Sequence, residues 1–215
     1  MKLNTATPTC KLCFKEVEEN SLSSFLFGEC SLCRSCYFSL SPHIEVSRLK
    51  DGTKLITLFR YEEGFRNALY QFKGCGDIEL STIFLTRIRP LLNLRFHGYV
   101  LVPAPSSESH DFARGFNHVE EICSSLSLPK ALVLKKTKEH KQSDLSAEER
   151  KKVKKVLALT DPKKVRDKRV LFIDDVYTTG STTKACVELL KEAGAKKVVA
   201  LVLAKVPPKG KGEKR

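Results

Sequence analysis

The stretch from Arg169 to Lys205 constrains this chain more than any other. "RVLFID" is an apolar run ending in an acid, "TTKACVELLKEA" has helical spacing with Gly194 as its stop, and "KKVVALVLAK" is a second apolar run. Strand, helix and strand in that order form a complete crossover unit, and such units build a parallel sheet with helices on its faces. The text upstream agrees. "TKLITLFRY" reads as a strand and "EEGFRNALYQFKG" as a helix stopped at Gly74. "IELSTIFLTRIRPLL" reads as a second helix broken at Pro90, "GYVLVPAP" as a short buried strand, "NHVEEICSSLSL" as a helix and "KALVLKKT" as a further strand. "LSAEERKKVKKVLAL" carries Ser146 and Glu149 at capping-box spacing and reads as a basic surface helix. The fold class is α/β.

Ligands of open α/β sheets sit outside the carboxyl ends of the strands, where "DDVYTTGST" falls. Thr178 and Thr179 supply hydroxyls, and Gly180 lets backbone N–H groups turn inward. A helix starting near Ser181 or Thr182 adds its positive end, so the loop suits one phosphate. Asp174 and Asp175 would repel a bare phosphate. They therefore face vicinal hydroxyls or a divalent cation. Hydroxyls beside a phosphate describe a sugar phosphate, and two carboxylates near a 5-phosphate loop fit the diol of a ribose 5-phosphate. Response-regulator receivers also carry paired acids at a strand end, but in a different order of elements and without a TTGST cradle.

Five of the eight cysteines lie between Cys10 and Cys36. No apolar stretch suits a signal peptide or a membrane span, so a cytosolic, reducing setting is expected, and clustered cysteines there point to metal. Cys10-x-x-Cys13 and Cys33-x-x-Cys36, separated by about twenty residues, have two-knuckle zinc-ribbon spacing, and four thiolates make a closed structural shell. Cys30 offers an alternative register. A thioredoxin-like redox pair is the rival reading, without the surrounding elements it needs. Cys75, Cys123 and Cys186 read as packing residues. His118, beside Glu121, reads as a surface or half-buried residue rather than a base.

The expected organisation is a zinc-binding module over 1–42, a linker "SPHIEVSRLKDG", a main domain over 53–205 and a disordered basic tail over 206–215. Lys and Arg outnumber Asp and Glu 38 to 25, a net charge of +13, so a polyanion is a plausible partner: nucleic acid or a phosphorylated metabolite. The interleaved aromatic platform of a single-strand binder is missing, with no Trp and only five Tyr.

From Val170 through Thr182 the chain resembles the 5-phosphoribosyl-1-pyrophosphate (PRPP) motif of the type I phosphoribosyltransferases. "FKGCGDIEL", "VLVPAP", "RGFNHVEEI", "KQSDLSAEER" and the CxxC pairs resemble segments of the competence protein F (ComF) family, in its order. The resemblance implies a type I phosphoribosyltransferase-like parallel sheet flanked by helices, behind a small zinc-ribbon-like module. It implies that Asp174 and Asp175 hold the ribose diol as the catalytic acids, and that Thr178, Thr179, Gly180, Ser181 and Thr182 hold the 5-phosphate. Ala104, Pro105, Ser106 and Ser107 would form the pyrophosphate loop, with Arg114 a cationic contact above it. Zinc on Cys10, Cys13, Cys33 and Cys36, magnesium with PRPP, single-stranded DNA, a competence helicase and a second copy of the chain are the cofactors and partners it implies. The role implied is DNA uptake in natural transformation; a working transferase with an unidentified acceptor is the alternative. The chain departs from the family pattern at "SSESHDFARGF", where a basic residue is common, at His118 in place of Gln, and at Val153 in place of Asn.

Overall fold

The computed structural model describes residues 9–17, 32–136 and 157–207. Its centre is a five-stranded sheet made of β1 (Glu45–Arg48), β2 (Lys54–Arg60), β3 (Tyr99–Pro103), β6 (Arg169–Tyr177) and β7 (Lys197–Lys205), in the order β1-β2-β7-β6-β3. All neighbours run parallel except β1, which is antiparallel to β2. β6 and β7 are buried along almost their whole length, as strands covered on both faces must be.

The helices supply that cover. α2 (Glu63–Gly74) buries Phe65, Ala68, Leu69 and Phe72, a stripe at helical spacing. Phe72 is fully enclosed, with ring centroids 5.5 Å from Phe84 and 5.4 Å from Phe116, and this anchors the last turn of α2 over the sheet. α3 (Arg89–Arg95) follows, then α4 (Glu108–Arg114) and α5 (His118–Ser124) after β3; α6 (Ser181–Glu192) joins β6 to β7. β4 (Leu134–Lys136) and β5 (Leu157–Leu159) form a separate antiparallel pair.

Several expectations are corrected. Pro90 does not break a helix. Ile78–Ile83 is a 3-10 turn, and Pro90 sits in the first turn of α3, where a missing N–H costs nothing. The supposed linker contains β1, whose side chains are mostly exposed; an edge strand held by backbone pairing leaves little apolar pattern to read. Leu157–Leu159 pairs with β4 as a strand rather than ending a helix. The rest of that expected helix, with Ser146 and Glu149, lies outside the described residues, as do Cys30, the segment matched by "KQSDLSAEER" and the tail from 208 onward.

The cysteine module is docked on the main domain. Its helix α1 (Arg34–Ser39) lies against α2, with Ser39 so close to Gly64 that an added Cβ would come within 3.0 Å. The Arg87 guanidinium stacks 3.8 Å from the centre of the Tyr37 ring and donates to the Tyr37 carbonyl at 3.0 Å. Lys11 pairs with Glu79 at 3.1 Å. Cys10, Leu12, Leu32 and Leu40 belong to the same buried cluster as the sheet.

Candidate ligand cleft and cysteine cluster

β3 is paired with β6 only as far as Pro103 and Ile173, yet β6 continues to Tyr177. The chain leaves β3 at Ala104, whose N–H still donates to the Ile173 carbonyl at 2.7 Å, and swings away. The exposed flank of β6 becomes the floor of a cleft. Among its lining residues are Ala104, Pro105, Ser106, Ser107 and Arg114 on one side and Thr178, Thr179, Gly180, Ser181 and Thr182 on the other, with Asp174 and Asp175 at the base. Every PRPP-site residue expected from sequence therefore borders one cleft.

The loop expected to take a phosphate runs from Thr178 to Thr182. Gly180 adopts φ 74°, a left-handed conformation, and as N-cap offers α6 no side chain; Thr179 Oγ1 accepts the Ser181 N–H at 3.4 Å, and the first turn carries no acid. The leading N–H groups of α6 thus lack helical partners beside the cleft. Thr179 and Ser181 exchange a hydroxyl hydrogen bond at 2.9 Å. The Tyr177 ring packs over Gly180 so closely that a Cβ there would fall 2.1 Å from it.

Consecutive strand positions point to opposite faces, and this separates the two acids. Asp175 turns towards α2 and α5: its Oδ2 receives Lys73 Nζ at 2.6 Å and lies 3.1 Å from His118 Nε2, while Oδ1 accepts the Val176 N–H at 2.7 Å. Asp174 turns towards α6, where its charge helps push up the Cys186 thiol, already raised by burial. Burial raises Asp174, and the neighbouring Asp175 charge adds to it, so its carboxyl is pushed up to about 7. Burial acts on Asp175 in the same direction. There the His118 hydrogen bond and the Lys73 charge outweigh it and hold the carboxyl well below the usual carboxylate range.

His118 corrects the sequence reading. It is 6% exposed, and its other nitrogen, Nδ1, lies 3.1 Å from Arg114 Nη1. Arginine can only donate, so Nδ1 accepts and Nε2 carries the proton given to Asp175. Arg114 also donates from Nε to the Lys73 carbonyl at 2.9 Å and lies 3.5 Å from Asp111 Oδ1. Lys73 and Lys136, which also line the cleft, were not singled out from sequence.

The acids carry a pH prediction. A carboxyl raised on folding contributes stability that is fully present below its unfolded value of 3.8 and is lost as pH climbs through about 7. Asp174→Asn removes that loss. Melting curves from about pH 5 to about pH 8 are expected to show the variant gaining on the native chain, by up to a few kcal/mol at the alkaline end. Parallel curves would contradict the assignment.

At the other end of the chain, the sulfurs of Cys10, Cys13, Cys33 and Cys36 all lie within 4.8 Å of one another. Tetrahedral zinc with bonds of about 2.3 Å sets its sulfurs roughly 3.8 Å apart, so a small contraction seats the ion. Cys13 and Cys33 are already 3.5 Å apart. Burial would raise the Cys10 thiol, but N–H groups of Cys33, Cys13 and Leu12 directed at its sulfur bring it down to about 7. The donor set and its backbone support suit a thiolate-bound structural metal.

Residues 113–215 match the phosphoribosyl transferase domain family. Competence protein ComFC of Streptococcus pneumoniae is 26% identical over 91% of this chain and 86% of its own length. Competence protein ComFC of Bacillus subtilis is 27% identical over 76% of this chain and 68% of its own. Among solved structures, adenine phosphoribosyltransferase from Saccharomyces cerevisiae superposes with a TM-score of 0.42 at 14% identity, covering 80% of this chain and 89% of that one. A Staphylococcus aureus hypoxanthine phosphoribosyltransferase gives 0.41 at 15%, covering 64% and 70%. The fold assignment rests on the strand order and the family match rather than on these superpositions. Parallel sheet, strand-end cleft, cysteine cluster and relatives agree: the chain has a phosphoribosyltransferase-like fold and is similar to the ComFC competence proteins.

Proposed function

We propose that the cleft binds PRPP with magnesium and that the protein serves natural competence, handling single-stranded DNA beside a helicase partner. The observation that carries the binding reading is the meeting of an uncapped helix start, a left-handed glycine and two strand-end acids in one cleft. In this reading the 5-phosphate rests on Thr178 to Thr182 and the start of α6, the acids meet the ribose hydroxyls, and the diphosphate lies along Ala104 to Ser107. Two carboxylates are too few for a full magnesium shell, so the ion would enter with the diphosphate, whose charge it would neutralise. The competence role draws on the printed names of the two ComFC relatives and on the net charge of +13. Among the described residues no helix is long and apolar enough to cross a membrane.

A working transferase is the second reading, favoured by Asp175. A buried carboxylate kept ionised beside the ribose would stabilise positive charge developing on the sugar ring as pyrophosphate departs. Pyrophosphate release in the presence of trial acceptors separates the two readings.

Calorimetry with PRPP and magnesium tests the binding itself. The native chain should take up the ligand, and Gly180→Ala should weaken it by at least roughly tenfold. Its Cβ meets the Tyr177 ring and strains a φ of 74° at a cost of about 1 kcal/mol. Equal affinities would remove the phosphate from this loop. In parallel, filter binding of single-stranded DNA should fall steeply with salt; a flat response would argue against the DNA role.

A further inference from the structure

Four side chains behind the cleft form a closed circuit. Lys73 gives its ammonium to Asp175, Asp175 is held by His118, His118 by Arg114, and the Arg114 Nε–H returns to the Lys73 carbonyl. This circuit changes which cation can serve an anionic ligand. Among the described residues the cleft-lining cations are Lys73, Arg114 and Lys136. The Arg114 side chain is 9% exposed, its Nε and Nη1 donate to a carbonyl and an imidazole, and the Asp111 carboxylate lies 3.5 Å from Nη1, so it is a fixed strut. The Lys73 side chain is 40% exposed, ends a flexible stem, and has Asp175 as its ion-pair partner.

Asp175 Oδ2, which faces two donors, is full at rest, while Oδ1 accepts only the Val176 N–H. A ribose hydroxyl that docks on Oδ2 displaces one of its two donors. His118 is buried and braced by Arg114, whereas the lysine is exposed and unbraced at its tip. The lysine is the one that yields. It follows Phe72, the buried anchor of α2, and precedes Gly74 and Gly76, the latter at φ 75°, so the backbone holds its stem at the cleft wall while the ammonium is free to swing.

We infer that Lys73 is a handed-over cation: it neutralises Asp175 in the empty cleft and passes to the ligand's diphosphate when the sugar diol takes its place. The inference rests on the PRPP reading and refines it. It supplies a movable positive charge that the "SSESHDFARGF" segment, whose one Arg is the fixed Arg114, does not. It also makes the cleft selective for a diphosphorylated sugar, because a ribose 5-phosphate must displace Lys73 without offering it a new partner.

The test compares PRPP and ribose 5-phosphate, each with magnesium, on the native chain, Lys73→Gln and Lys73→Arg. Lys73→Gln should weaken PRPP roughly 10- to 100-fold, the loss of one charge-assisted contact, and leave ribose 5-phosphate unchanged or tighter. Lys73→Arg should restore most of the preference. Melting curves guard against misfolding, and in a purely structural role both ligands would weaken in step, which overturns the inference. A native chain that binds ribose 5-phosphate as tightly as PRPP overturns the role of Lys73 but spares the sugar-phosphate site. A native chain that binds neither overturns both.

Discussion

Stripping the metal from Cys10, Cys13, Cys33 and Cys36 is expected to unfold the module they close. Zinc binding contributes about 10–16 kcal/mol in small modules of this kind, as much as the whole stability of an ordinary domain. The described part of the module has little else to hold it: α1 buries no residue fully, and its apolar contribution is Cys10, Leu12, Leu32 and Leu40 against the main core. Elemental analysis should find about one zinc per chain. Chelation, or Cys33→Ser, should expose amides of 9–17 and 32–40 to hydrogen exchange. The damage should then spread to α2, which loses the cover of Ser39 on Gly64, and to Arg87, which loses the Tyr37 ring, while the sheet stays protected. A chain purified without metal and indifferent to chelator would refute the assignment.

Asp175→Asn should be the most damaging single change in the cleft, and it should contrast with Asp174→Asn. The amide offers one oxygen where Lys73 and His118 both donated, and it brings N–H groups into a pocket of donors. The buried His118 Nε2–H loses its acceptor and the half-exposed Lys73 its counter-charge, a cost of about 1–3 kcal/mol. Asp175 is depressed on folding, so its contribution is present above its unfolded value of 3.8 and is lost as pH falls through the lower folded value. At neutral pH the penalty is therefore at full size. Asp174→Asn, by contrast, replaces a group raised to about 7, whose cost to the native chain is mostly incurred by neutral pH, and should be neutral to stabilising there. Chemical denaturation of the two variants at neutral pH, with PRPP titrations of each, reads both effects. Equal destabilisation would mean that the two acids share one environment after all.

The elements with strong local pattern were legible in the sequence. β2, β3, β6, α2 and α6 follow from apolar periodicity and glycine stops, and the phosphate loop from the order of acids, threonines, glycine and serine. The grouping of Cys10, Cys13, Cys33 and Cys36 follows from spacing. Elements without such a pattern were missed or misread. β1 is exposed and held by backbone pairing, β5 was hidden in a run of basic helical character, and Pro90 gives the same local signal whether it ends a helix or opens one.

What the sequence determined by itself is local: which segments are strands and helices, that a βαβ unit carries a phosphate-type loop, and that four cysteines can close on one metal. These depend on neighbours within about one turn or one loop of each other, where spacing implies geometry. Only the tertiary structure decided that Asp175 is held by Lys73, 102 residues away in the chain, and by His118, 57 residues away. Only the alternation of β6 between two helical layers sent the adjacent acids to opposite faces and their protonation in opposite directions. Charge and burial at a site are sums over everything packed around it, and that packing brings together residues whose separation in the chain carries no trace of their contact.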